Sequence, residues 1–144
     1  MRIATSLVLS LLLGGSVEAE ELIHATLYAM PNCDCCIPHA EYLRSNGFDV
    51  EVVEPDDLAP IRRAQSVPGA MEGCHTILVE GYVVEGHVSA DIIKQLLREH
   101  PEGIRGISIP GMPTGVPGMP GPRDHPIDVF AFGTDEPTLF AKQD

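Results

Sequence analysis

Three cysteines within four residues are the part of this chain best suited to chemistry. They lie in the segment MPNCDCC, which begins at Met30 and contains Cys33, Cys35 and Cys36; a fourth cysteine, Cys74, follows much later. Cys33 and Cys36 have the C-x-x-C spacing of dithiol–disulfide enzymes, and a helix N-terminus at such a motif lowers the thiol pKa. An enzyme of that kind needs only this pair, so its chemistry leaves Cys35 and Cys74 unexplained.

Disulfide staples or a metal site would account for all four thiols. Two disulfides could hold a small exported domain together, but Cys35 and Cys36 are adjacent, and thiols in one turn close no long loop. Thiolates are soft ligands that select Cu(I), zinc or iron–sulfur clusters over hard cations. Metal binding is the more economical reading, with Cys33, Cys35, Cys36 and Cys74 holding one ion or sharing several.

Two of the six histidines are candidates to complete such a ligand shell. His87 follows Glu85-Gly86 and lies two residues before Ser89, where the last predicted helix begins. His75 is adjacent to Cys74, although strand alternation would point it to the opposite face. A lone histidine can equally be a surface or supporting residue, so both readings stay open. His39, three residues after Cys36, is a weaker candidate.

A repeated tetrapeptide adds two methionines to the candidates. The sequence PGMP occurs twice, seven residues apart, and contains Met112 and Met119. Thioethers bind copper but have little use for zinc. The alternative is that each methionine only packs its segment onto the domain.

Composition and charge exclude several classes of function. The 144 residues are 44% hydrophobic and 21% charged, as in an ordinary globular domain, and the formal net charge is −12. Nucleic acids and anionic membrane surfaces require a basic footprint, so neither is expected as the main partner. With no tryptophan and 5% aromatic residues, a base-stacking platform is not expected either.

The N-terminus has the pattern of a secretory signal peptide. A positive start at Met1-Arg2 precedes an apolar run over 3–13, and small residues at 16–19 predict cleavage after Ala19. A membrane-spanning helix needs about 20 apolar residues, so this run is too short, and no span is expected after cleavage. We expect residues 1–19 to be removed and the mature protein to reside in the periplasm, where disulfides can form.

The hydrophobic patterns predict the element order β-α-β-α-β-β-α, with the cysteine cluster at the first strand-to-helix junction. Strands are predicted at 22–29, 48–53, 75–79 and 82–85, and helices at 37–46, 58–65 and 90–99. A parallel pairing of the first two strands follows from the intervening helix. This order resembles a thioredoxin- or glutaredoxin-like three-layer α/β fold.

Two further expectations follow from that fold. Cys74 stands just before the third strand, where related folds usually carry a cis-proline, so it should lie beside the C-x-x-C turn. Residues 101–126 are rich in glycine, proline and methionine and have no apolar period, which predicts a surface flap. A terminal hairpin is predicted from 128–132 and 138–141, within a single domain over 20–144.

The motifs PNCDCC, CHT, EGHV and IPGMPTGVPGMPGP together closely resemble the CopG family of exported copper-resistance proteins, a small thioredoxin-like family with a CxCC motif. The similarity covers about residues 22–141. It implies periplasmic copper binding, several Cu(I) ions in a thiolate cluster and a change of copper oxidation state. The family's cysteine ligands match Cys33, Cys35, Cys36 and Cys74, and His87 in EGHV matches a further position of the family. Met112 and Met119 match its PGM motifs.

Two functions therefore stay open. The first is copper handling, either as a sink for Cu(I) or as a redox partner that interconverts copper states, with periplasmic copper-handling or electron-donor proteins as further partners. The second is a thiol–disulfide oxidoreductase or isomerase in which Cys33 attacks and Cys36 resolves. The second function needs neither Cys35, Cys74 nor the methionine repeats, so copper handling explains more of the sequence.

Overall fold

A computed structural model of the chain describes residues 21–123 and 125–144. The predicted signal peptide, residues 1–19, lies outside the described residues. The elements are β1 (Ile23–Tyr28), α1 (Cys36–Arg44), β2 (Phe48–Val53), α2 (Ala59–Ala64), a 3-10 turn (Gly69–Met71), β3 (Thr76–Val79), β4 (Tyr82–Glu85), α3 (Ala90–Glu99), β5 (Ile104–Ser108), β6 (Ile127–Gly133) and β7 (Thr138–Gln143).

The strands form one mixed sheet in the order β2-β1-β3-β4-β5-β6-β7. β1 pairs in parallel with β2, as predicted, and β4 with β5, whereas the other neighbours are antiparallel. The predicted terminal hairpin is the antiparallel pair β6 and β7. The molecule is thus a mixed α/β protein, and none of the helices in its described part is long and apolar enough to cross a membrane.

Local sequence explains β2 and α3, two elements of the framework that holds the site. β2 buries Phe48 and Val50 and exposes Asp49 and Glu51, which is the alternation of a strand with one solvated face. α3 has the apolar spacing of an amphipathic helix and buries Ile92, Ile93, Leu96 and Leu97 along one side. Burial of these faces fixes the sheet and α3 together, so the loops at the end of β1 and before β3 are held in place.

The prediction that residues 101–126 form only a surface flap is wrong for their first part. Ile104–Ser108 is strand β5, which lies between β4 and β6 in the sheet, and Ile107 is fully buried. Gly106 has no room for a side chain, because a Cβ there would collide with the Val83 carbonyl and the Phe132 ring. Glycine is needed for this close approach, and the strand is too short to reveal itself by an apolar period.

The second part of this segment is fixed to the domain rather than free. The Gly111 amide donates to the Glu72 carbonyl at 3.1 Å, and Gly73 and Gly111 form an isolated parallel bridge. Val116 is buried against the main core. From here on the name flap refers to residues 109–123, which cover the loop before Cys74 and the start of α1.

Candidate metal centre

The three clustered cysteines lie in a tight turn between β1 and α1. The Cys33 amide donates to the Met30 carbonyl at 3.2 Å, and the Cys36 amide donates to the Cys33 carbonyl at 3.1 Å. Asn32 has a φ of 63°, in the left-handed region that asparagine tolerates better than most residues. This turn places Cys35 at the N-cap of α1 and Cys36 at its first residue.

Cys74 reaches this turn from the loop before β3. Its sulfur lies 2.8 Å from that of Cys35, 3.4 Å from that of Cys33 and 3.9 Å from that of Cys36. All four sulfurs lie within 4.8 Å of one another. The structure thus brings together the four cysteines that the sequence assigned to one site.

The four cysteines are present in two oxidation states. Cys33 and Cys36 form a disulfide, whereas Cys35 and Cys74 are free thiols. The alternative of two disulfide staples is therefore not what the structure contains. Four sulfur ligands become available only when the Cys33–Cys36 bond is reduced by two electrons.

The environment of Cys74 favours the protonated thiol until a cation arrives. Burial and the neighbouring Cys35 thiol raise the pKa of Cys74 to about 12, and the Arg62 guanidinium opposes this shift. A metal ion that binds Cys74 must therefore displace its proton at neutral pH.

A buried ion pair holds the residue before Cys74 on both sides. The Glu85 carboxylate accepts the Gly73 amide at 2.9 Å, and Arg62 donates to the Gly73 carbonyl at 2.8 Å. Arg62 and Glu85 also pair directly at 2.9 Å, and Thr76 donates to the same carboxylate. Glu85 is fully buried, so this pair fixes the backbone position from which Cys74 reaches the other thiols.

Three histidines are buried next to Cys74. The ring centroids of His39, His75 and His87 lie between 4.7 and 4.9 Å apart, and the three residues are at most 1% exposed. His75 does not point away from Cys74, as strand alternation would suggest, because both residues precede β3, where alternation does not apply. Cys74, His75 and His87 each place one ligand atom within 4.8 Å of the others.

Burial keeps this histidine cluster neutral. It lowers the pKa of His39 to about 3, with a further contribution from His87, and it lowers the pKa of His75 well below its ordinary value. Burial also lowers the pKa of His87, although the Pro117 carbonyl opposes that shift. Neutral imidazoles keep a lone pair for a metal ion, whereas protonated ones do not.

A cavity of about 450 Å³ opens beside the thiols and is lined by three methionines, Met30, Met112 and Met119. Met112 is 63% exposed and Met30 52%, whereas Met119 is half-buried against the core. The structure therefore places Met112 and Met119 at the mouth of the cysteine site. It adds Met30, which sequence reasoning passed over even though it opens the cysteine motif.

Sequence reasoning gave His39 only the place of a weaker candidate and missed the Arg62–Glu85 pair entirely. His39 carried a signal, since it lies three residues after Cys36 and thus on the same side of α1. The Arg62–Glu85 pair carried none, because it joins α2 to β4 and depends on the folded chain. Taken together, thiols, thioethers and neutral imidazoles form a donor set suited to a soft or borderline metal ion.

Comparison with known proteins adds to this geometry. Residues 71–119 match the model of a family described as a protein of unknown function, DUF411. No curated protein matches the chain. A solved structure titled "Copper resistance protein copG- Form 1" shares 31% sequence identity at a TM-score of 0.77, over 85% of this chain and 98% of that one.

The second form of that protein gives the same result. Its structure, titled Form 2, shares 31% identity at a TM-score of 0.78, and the match covers 86% of this chain and 100% of that one. Identity and coverage at this level show common descent along nearly the whole described chain. The chain belongs to the family of the copper resistance protein CopG.

Proposed function

We propose that this protein is a periplasmic copper-binding protein for copper resistance, which holds Cu(I) in its cysteine-rich site within a thioredoxin-like domain. One observation carries the proposal: four cysteine sulfurs from two distant segments lie within 4.8 Å of one another. Soft thiolates at that spacing suit Cu(I), which accepts two or three sulfur ligands and can be bridged by them. The titles of the related structures name copper resistance, which agrees with this ligand set.

The remaining donors extend the site. His87 and His75 offer two nitrogens close to the Cys74 sulfur of the thiol cluster. Met112 and Met119 at the cavity mouth offer thioethers, which bind copper weakly and remain ligands when thiols oxidise. In this proposal, Cys33, Cys35, Cys36 and Cys74 bind several Cu(I) ions, with His87 as a further ligand.

Interconversion of the Cys33–Cys36 dithiol and disulfide gives the site a means to change the oxidation state of copper. Two Cu(II) ions each accept one electron from the Cys33 and Cys36 thiolates, which join in one disulfide as two Cu(I) ions form. Cys35, Cys74 and the histidines still provide ligands after this step. A further turnover requires an electron donor that returns two electrons to the disulfide, and a periplasmic reductant protein would be that partner.

The Cys33–Cys36 disulfide at the start of α1 also favours a second candidate function, thiol–disulfide exchange with other proteins. In that reaction the Cys33 thiolate attacks a substrate disulfide and Cys36 resolves the mixed disulfide. Neither Cys35 nor Cys74 takes part. Substitutions at these two positions therefore separate the two functions.

The experiment compares Cys35→Ser, Cys74→Ser and the double variant with the parent protein. Copper loading is measured anaerobically on reduced protein, and exchange activity is measured by insulin reduction on metal-free protein. If copper handling is the function, each single variant loses copper stoichiometry or affinity, because oxygen replaces a soft thiolate poorly. Full copper loading in the double variant, with insulin reduction dependent on Cys33, would establish thiol–disulfide exchange instead.

Export is the remaining part of the proposal. Cleavage after Ala19 would give a mature chain that begins at Glu20 and carries all four cysteines. Mass spectrometry of the protein recovered from a periplasmic fraction measures this directly. A chain that retains Met1 in the membrane fraction would contradict it.

A further inference from the structure

Hydrogen bonds to two backbone carbonyls fix the protons of two histidines in the buried cluster. Nε2 of His39 lies 3.0 Å from the Val88 carbonyl, and Nδ1 of His87 lies 2.7 Å from the Pro117 carbonyl. A carbonyl oxygen can only accept a hydrogen bond. His39 Nε2 and His87 Nδ1 must therefore carry the protons.

The hydrogen bond between His39 and His75 fixes the position of the proton on His75 as well. Nδ1 of His39 lies 2.8 Å from Nε2 of His75. A neutral imidazole has one N–H, and that of His39 already points to Val88. His39 Nδ1 is thus the acceptor, and His75 donates to it from Nε2.

Each of the two outer rings is left with an unprotonated nitrogen, which is Nδ1 in His75 and Nε2 in His87. Both atoms are buried, and within the described residues neither has a hydrogen-bond partner. A buried polar atom without a partner is costly and rare in folded proteins. His75 and His87 each place one ring nitrogen within 4.8 Å of the Cys74 sulfur, and an unprotonated nitrogen on each ring has the lone pair that a metal ion would satisfy.

We propose that His39 and the Pro117 carbonyl are positioning groups, which set the tautomers of His75 and His87 so that each presents an unprotonated nitrogen to a copper ion beside Cys74. This inference rests on the proposed copper-binding function and assigns roles within it. His39 is not itself a ligand, because hydrogen bonds occupy both of its nitrogens. The flap contributes through its backbone, since Pro117 belongs to the second PGMP repeat.

The packing around His39 agrees with a fixed position. His39 is fully buried on α1, and Gly118 of the flap lies directly against its backbone. A Cβ at Gly118 would lie 2.7 Å from the His39 amide nitrogen. The same two flap residues, Pro117 and Gly118, therefore hold His87 by a hydrogen bond and cover His39 by contact.

The test reads the tautomers directly in reduced, metal-free mature protein. Long-range proton–nitrogen NMR distinguishes a protonated ring nitrogen from a bare one in each histidine. We expect Nε2–H in His39 and His75 and Nδ1–H in His87. A wild-type His75 that carries its proton on Nδ1 would overturn the proposal, whatever the protein does with copper.

Two substitutions at His39 test its role. His39→Leu removes the acceptor for His75, so His75 should lose its single tautomer, and the affinity for the histidine-bound copper should fall by about 10- to 100-fold. His39→Asn keeps an oxygen near the position of Nδ1 and should restore both the His75 tautomer and most of the affinity. An unchanged His75 tautomer in folded His39→Leu protein, or no difference between Leu and Asn, would refute the role of His39.

The NMR readout also separates this inference from the proposed function. Tautomers as expected in a protein that takes up no copper would support the hydrogen-bond order and contradict copper binding. Copper uptake by the thiols with equal affinity in wild-type and His39→Leu protein would contradict the inference and leave the proposed function in place.

Discussion

Gly118 and Gly111 occupy the same position in the two PGMP repeats, yet only at Gly118 would an added side chain collide with the rest of the domain. Both have positive φ, +81° for Gly118 and +71° for Gly111. A Cβ at Gly118 would lie 2.7 Å from the His39 amide nitrogen and 3.0 Å from its Cα. A Cβ at Gly111 would meet nothing within 4 Å. Alanine substitutions at the two positions should therefore cause similar backbone strain, and only the substitution at Gly118 adds a steric collision.

The difference in stability expected between Gly118→Ala and Gly111→Ala follows from this comparison. A left-handed backbone costs alanine about 1–2 kcal/mol, and both variants share that cost. Overpacking against neighbours that cannot turn away adds about 1–3 kcal/mol. The Gly118 contact is with the backbone of α1, so Gly118→Ala should lower the free energy of unfolding by about 1–3 kcal/mol more than Gly111→Ala does.

Urea unfolding of metal-free protein with the Cys33–Cys36 disulfide intact measures both variants under the same conditions. The collision also displaces Pro117 from His87, so Gly118→Ala alone should change the NMR tautomer signal of His87. Equal destabilisation by the two substitutions, with the His87 signal unchanged in both, would refute the packing that we assign to the second repeat.

Two further predictions concern groups buried around the site. Burial lowers the pKa of His39 from 6.5 to about 3, so the unfolded state binds a proton that the folded state does not, and stability falls as the pH drops below about 6.5. His39 alone should account for about 2 kcal/mol of the loss between pH 7 and pH 5. Urea unfolding at pH 7 and pH 5 should show that His39→Asn lacks this part of the loss in stability. An equal loss in wild-type and His39→Asn protein would contradict the prediction. Glu85→Gln breaks the buried pair with Arg62 and should cost about 3 kcal/mol and speed alkylation of Cys74. The half-exposed Glu72, which contacts the same guanidinium, serves as control, since Glu72→Gln should cost at most about 1 kcal/mol; similar costs would show that Glu85 does not hold the loop.

Periodicity was enough to predict most elements of the first hundred residues. β2, β4 and α3 occupy the predicted ranges, because each alternates or repeats with a clear apolar face. β5 could not be predicted in this way. Its five residues include Gly106, whose place in the sheet depends on the Phe132 ring and the Val83 carbonyl, both distant in sequence.

The candidate site, too, could be predicted from the sequence only in part. The approach of Cys74 to the CxCC turn could be expected from the element order, since a loop before the third strand lies beside that turn. The grouping of His39 with His75 and His87 could not, because it depends on contacts that span 36 residues and more. The Arg62–Glu85 pair was equally hidden, as buried charge within a short strand has no sequence pattern of its own.

An anaerobic titration of the reduced mature protein with Cu(I), in competition with a calibrated chelator, tests the central claim most directly. Elemental analysis of the loaded protein gives the stoichiometry, and an equal concentration of zinc is then added. Thiolates reinforced by thioethers should hold more than one Cu(I) ion per chain and keep them against zinc. Displacement of the copper by zinc, or failure of the reduced protein to compete for Cu(I), would contradict the account.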